Sequence, residues 1–149
     1  MIKFSVTQER PMEQRLTYIT LGVNNLSNSR KFYEEVFGWK PEPAGGDVVF
    51  FKLNGIILSL FPREELAKDA EVSPAGSGFR PCSLAYNVRS EKEVDILVTS
   101  LKSKGAAVLK SPQKAFWGGY TSYISDPDGN MWEITYNPYL QLDDAGNVV

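Results

Sequence analysis

One structural plan is written twice along this chain. Residues 16–23, Leu-Thr-Tyr-Ile-Thr-Leu-Gly-Val, alternate apolar with polar or small side chains. The period of two predicts a half-buried strand with Thr17, Ile19, Leu21 and Val23 on one face and Tyr18, Thr20 and Gly22 on the other. A helix follows. Asn25 or Ser27 can cap it, Phe32, Tyr33, Val36 and Phe37 form its apolar stripe, and Gly38 suits a left-handed stop. Two strands are predicted near 48–53 and 56–61, joined by Asn54-Gly55, a strong short hairpin signal. After a connector rich in Pro, Gly and Ser the plan restarts: a strand over 83–88, then a helix opened by the capping box Ser90 and Glu93. Val94, Leu97, Val98 and Leu101 form its buried face and Gly105 its end. Strands near 107–110, 120–125 and 131–136 complete the second copy, the last two joined by Asp126-Pro127-Asp128-Gly129. Two copies are too few for a solenoid, so they are expected to pack as similar halves about a pseudo-twofold axis.

Composition narrows the chemistry more than it widens it. The chain has 149 residues and no histidine, which removes the commonest metal ligand and the side chain that titrates near neutrality. Histidine-based triads and ordinary zinc or iron sites are excluded with it. A net charge of −2 with dispersed basic residues recommends neither nucleic acid nor an anionic membrane as partner. The single cysteine, Cys82, cannot form an intrachain disulfide, and the first residues lack the apolar core of a signal peptide. No apolar run is long enough to span a bilayer. The expected location is the cytoplasm. Asp126, Asp128 and Asn130 imitate the first half of a calcium loop, but Met131 stands where its glycine belongs, so the segment reads as a turn.

Two phrases carry a family resemblance: Leu21-Gly-Val-Asn-Asn-Leu-Ser-Asn-Ser-Arg-Lys-Phe-Tyr-Glu-Glu-Val-Phe-Gly-Trp39, and Tyr123-Ile-Ser-Asp-Pro-Asp-Gly-Asn-Met-Trp-Glu-Ile134. In this order and spacing the chain resembles the vicinal oxygen chelate superfamily, which includes glyoxalase I, fosfomycin- and bleomycin-resistance proteins and extradiol dioxygenases. The resemblance covers roughly residues 15–138. It implies an α+β fold in which two tandem βαβββ modules form a cup-shaped, barrel-like mixed sheet with helices outside. The expected organisation is an N-terminal arm (1–14), one glyoxalase-like domain (15–138) and a C-terminal tail (139–149). Within the domain, module one covers 15–70, the connector 71–81 and module two 82–138. Open cups expose sheet edges, so a homodimer is expected, with the arm a candidate to cross to the partner.

The resemblance also implies a metal site, whose positions fall on Tyr18, Ser59, Ser83 and Glu133. Only Glu133 is a good ligand type. Neutral hydroxyls bind divalent metals poorly, and a tyrosine needs its pKa of about 10 lowered before it coordinates. No metal and no cofactor are therefore expected. Strand alternation places all four positions on the less apolar side of their strands, as a ligand cup requires. Two have a plainer reading: Glu133 as a solvated or ion-paired carboxylate, Tyr18 as a hydrogen-bonded wall residue. Phe116-Trp117-Gly118-Gly119-Tyr120 reads either as an aromatic flap at the cup mouth or as the closed end of the barrel. Trp117 and Tyr120, with Phe61, join the four mapped positions as candidate ligand-binding residues. Cys82, with no cation or histidine beside it in sequence, reads as packing, and Phe51, Phe61 and Trp39 also have a reading as core or interface.

Three functions follow as expectations. The first is a metal-independent binding protein of the bleomycin-resistance type that captures a small organic molecule in an aromatic cup. The second is a glyoxalase-like lyase or isomerase with Glu133 as general base and Tyr18 as acid, a carboxylate in a dry cup being open to a raised pKa. The third is a noncatalytic interaction subunit whose cup is filled by its own side chains.

Overall fold

The computed structural model describes residues 12–149, so most of the expected arm lies outside the described residues. In chain order the elements are β1 (Tyr18–Val23), α1 (Leu26–Glu35), β2 (Val49–Lys52), β3 (Ile57–Pro62), α2 (Arg63–Asp69), β4 (Ser83–Val88), α3 (Glu91–Ser103), β5 (Ala107–Lys114), β6 (Tyr120–Ser125) and β7 (Met131–Tyr136). They form an α+β fold with two sheets. The N-terminal sheet has the order β1-β3-β2 and the C-terminal sheet the order β4-β7-β6-β5. In each, the first strand runs parallel to the last strand of its own module. The repeated plan is thus real, although the two sheets stay separate rather than closing into a barrel.

Helix boundaries follow the capping chemistry. Asn25 accepts from the Asn28 N–H at 2.9 Å to start α1, and the left-handed Gly38 lets Trp39 N–H reach back to the Tyr33 carbonyl. For α3, Ser90 accepts from Glu93 N–H while the Glu93 carboxylate accepts from Arg89 N–H, a variant of the reciprocal capping box.

The first copy departs from the βαβββ plan in two ways. It lacks the strand that would match β5. Glu42 N–H donates to Phe50 O at 2.8 Å, but Pro41 and Pro43 flank it, and without their N–H groups no ladder can extend. It also carries a helix, α2, that alternation did not predict. The space a Gly22 side chain would need is taken by Arg63 and Leu66, with the Arg63 Cα 3.4 Å from the ideal Cβ position. A larger residue at position 22 would crowd α2 against β1.

One hydrophobic core joins both modules. Leu58, Leu60, Val49 and Phe51 turn the helix side of the N-terminal sheet toward Phe32, Tyr33 and Val36. Trp132, Ile134 and Ile124 do the same for the C-terminal sheet toward Val94, Val98 and Leu101. Between them Tyr33, Phe37, Trp39 and Trp132 make an edge-rich aromatic cluster, with Tyr33 6.2 Å and Phe37 5.2 Å from the Trp132 ring. Tilted and T-shaped rings at this spacing add to area burial. Phe51 and Trp39 belong to this core, as expected. The modules therefore meet through their helix sides, and the opposite face of each sheet is left open.

Candidate functional site

The open faces are built by strand alternation. On the N-terminal sheet the parallel register places Tyr18 beside Ile57, Thr20 beside Ser59 and Gly22 beside Phe61, with Phe50 across from Ser59. The Thr20 and Ser59 hydroxyls are 2.5 Å apart, and Ser59 is buried. Tyr18 is about half exposed and meets the Phe50 ring edge-on at 6.1 Å. One end of this face is closed by α2, which lies over Gly22.

The C-terminal sheet presents three cross-strand rows. The first holds Ser125, Met131 and Ser83, the second Lys110, Tyr123, Glu133 and Ala85, the third Gln113, Thr121, Thr135 and Asn87. Thr121 donates its hydroxyl to Glu133 Oε1 at 2.7 Å. Burial, followed by the charge of Glu133 opposite, raises the Tyr123 phenol above its ordinary pKa, with a hydrogen bond to Ser83 opposing the shift. Tyr123 therefore stays protonated beside a carboxylate. A cleft of about 550 Å³ opens over the first two rows, lined by Phe79, Cys82, Ser83, Leu109, Lys110 and Tyr123, with Pro81 and Met131 completing it.

Ser83 and Glu133 thus share one face, and Tyr18, Ser59 and Phe61 share another. The structure does not bring the two groups into one cleft within the chain. Tyr120 turns away from both. It is in register with Tyr136 on the helix side and donates to Asp95 of α3 at 2.8 Å, because its parity on β6 is that of Ile124 rather than of Tyr123. Trp117 does lie on the open side. Gly119 continues the parity of Thr121, and the space its side chain would need is occupied by the Trp117 ring, 1.9 Å from the ideal Cβ position. The paired glycines are thereby explained, since Gly118 is left-handed and also faces the Tyr139 hydroxyl. Tyr123 is the residue that sequence reasoning missed. Its signal was present: alternation through the Asp126 to Gly129 turn sets it directly across from Glu133.

The donor set does not fit a divalent metal. Among the described residues no three His, Cys, Asp or Glu side chains come together. The Ser59 hydroxyl is paired with Thr20, and Glu133 already holds Thr121.

With this geometry in place, comparison with known proteins gives the class. The profile of the Glyoxalase/Bleomycin resistance protein/Dioxygenase superfamily matches residues 15–134. The chain belongs to that superfamily. A glyoxalase-related enzyme from Fulvimarina pelagi is similar in structure, with a TM-score of 0.83 and 35% identity over 92% of this chain and 98% of that one. In sequence the chain is 27% identical to the metallothiol transferase FosB of Lysinibacillus sphaericus over 122 residues, 81% of each protein. It is 29% identical to a probable trivalent organoarsenical cleaving enzyme of Bacillus subtilis over 140 residues, 89% of this chain and 90% of that protein. No helix among the described residues is long and apolar enough to cross a membrane.

Proposed function

We propose that this chain is a metal-independent binding protein that captures a small organic molecule between the open faces of its sheets. The observation that supports it is the open, partly apolar cleft beside Ser83 and Tyr123, on a face whose donor set does not suit a metal. The complete cup belongs to a homodimer, in which the N-terminal sheet of one protomer faces the C-terminal sheet of its partner. That pairing unites Tyr18 and Phe61 with Ser83, Trp117 and Glu133, which one chain keeps apart, and it covers the edge strands β1 and β4. Cys82 is exposed rather than packed as expected, and a free thiol there agrees with a cytoplasmic location.

A thermal-shift screen of small organic molecules alongside zinc, nickel and manganese tests the reading. Organic hits should raise the melting temperature by ligand linkage, and the metals should not. A metal that binds at micromolar concentration, with no organic hit, would reverse the assignment. The juxtaposition of Tyr123 and Glu133 keeps a second reading open, a lyase or isomerase in which Glu133 takes a proton and a tyrosine supplies one. Turnover of a hemithioacetal by metal-stripped protein, lost in Glu133→Gln, would establish it.

A further inference from the structure

We infer that Lys110 is the anion-binding residue of the cleft on the C-terminal sheet, so that the ligand is an organic anion with an apolar body. The inference rests on the ligand-capture reading and specifies its chemistry.

Simple alternation would point Lys110 the same way as Val108, toward α3. The strand does not alternate simply. Val108 pairs with Ile124, but Lys110 pairs with Tyr123, so Leu109 is an extra residue on β5 and the register shifts by one. A bulge of this kind re-aims the side chain that follows it. Here it turns Lys110 onto the open face, and Leu109 and Lys110 both line the cleft. The bulge is pinned, since the Ser122 hydroxyl donates to the Lys110 carbonyl at 2.7 Å.

The ammonium group so placed is short of a counter-charge. Lys110 is half-buried, and its Nζ lies 5.9 Å from the centre of the Tyr123 ring. The ion pairs among the described residues are Arg15 with Glu13, Arg30 with Glu34, Lys31 with Glu35 and Lys114 with Glu91, none of which involves Lys110. Among the described residues no other charged side chain lines the cleft, whose remaining walls include Phe79, Leu109 and Met131. Phe79 and Leu109 are 81% and 55% exposed, a large apolar area to leave in water. A partly desolvated cation between apolar walls is matched by a carboxylate, sulfonate or phosphonate on an apolar body, and inorganic anions would leave those walls uncovered. Glu133 stands in the same row but is absent from the cleft lining and occupied by Thr121.

The test uses two fluorescent probes that differ in one group, 8-anilinonaphthalene-1-sulfonate and uncharged N-phenyl-1-naphthylamine. Wild-type protein should bind the sulfonate about tenfold more tightly, the worth of one charge-assisted contact partly open to water. Lys110→Gln should reduce the sulfonate to the level of the uncharged probe and leave the latter unchanged. Lys102→Gln, a solvent-facing charge on α3, should leave both unchanged. Equal affinities for the two probes, or sulfonate binding that survives Lys110→Gln, would overturn the inference while leaving the capture reading standing. Failure of both probes to bind would sink the capture reading and the inference with it.

Discussion

The Tyr33 hydroxyl donates to Asp126 Oδ2 at 2.7 Å, joining the first helix to the last hairpin across ninety-three positions of sequence. Asp126 is 4% exposed, and its carboxylate also accepts from Asp128 N–H, Asn130 N–H and the Asn130 amide. Asp128 in turn accepts from Asn24 N–H and Ser29 Oγ. The turn that resembles a calcium loop is thus a clamp that fixes one module on the other. Tyr33→Phe should cost about 2 kcal/mol, the value of one hydrogen bond to a charged group. Asp126→Ala should cost more, because four buried or part-buried donors lose their acceptor together. Urea denaturation measures both.

The same contact makes stability depend on pH in the alkaline range. Burial, then the charge of Asp126, raises the Tyr33 phenol far above its ordinary pKa, so the folded chain keeps this proton when the unfolded chain has lost it. The unfolded state then binds fewer protons. Stability from this residue is intact below about pH 10 and falls above it by about 1.4 kcal/mol per pH unit. In Tyr33→Phe the stability should decline less steeply over that range, as denaturation at pH 9, 10 and 11 would show. An unchanged slope would mean that the other tyrosines carry the alkaline loss.

Trp117 and Gly119 form a second coupled pair, here by exclusion. A methyl group on Gly119 would overlap the Trp117 ring, and overpacking of this kind costs about 1–3 kcal/mol or expels the ring. Gly119→Ala should therefore red-shift tryptophan emission and lower the melting temperature. The double variant Trp117→Ala with Gly119→Ala should be more stable than the sum of the single changes allows, since the clash is gone.

How much of this was legible beforehand depended on the range of the interaction. Asn25, Ser90, Gly38 and Gly105 act within a few residues of their own position, and local spacing located both major helices and their ends. The side of each sheet that stays open followed from alternation, which put Tyr18, Ser59, Ser83 and Glu133 on the faces where they stand. Tyr33 with Asp126 could not be read so, because nothing in either neighbourhood names the other. Lys110 was hidden for a different reason: a one-residue bulge reverses direction without altering composition. The helix α2 is only a seven-residue turn of chain, too short for periodicity to separate from the strand before it. Tyr120 was misplaced by proximity to Trp117, when its parity with Ile124 already pointed it at α3.

A further expectation concerns metal content. Purified without an affinity tag and dialysed against chelator, the protein should carry far less than one zinc, nickel, iron or manganese per chain by elemental analysis. Its melting temperature should be unmoved by the chelator. One tightly held metal per chain would show that hydroxyl donors from two protomers suffice where those of one do not.

Glu133 and Tyr123 give the sharpest test of the open face as a site rather than a surface. Burial raises the Tyr123 pKa first, and the negative charge and hydrogen bonding of Glu133 raise it further. Glu133→Gln keeps an oxygen acceptor for the Thr121 hydroxyl but removes the charge, so the fold should survive with a stability change within about 0.5 kcal/mol. The Tyr123 phenol should then titrate at lower pH than in the wild type, while remaining above the ordinary tyrosine value because burial persists. Carbon-13 ring labelling with assignment through Tyr123→Phe follows that one residue among the tyrosines. A Tyr123 titration unchanged by Glu133→Gln would mean that the carboxylate faces solvent and does not sense the phenol across the strand pair, and neither residue could then act on a captured ligand in concert.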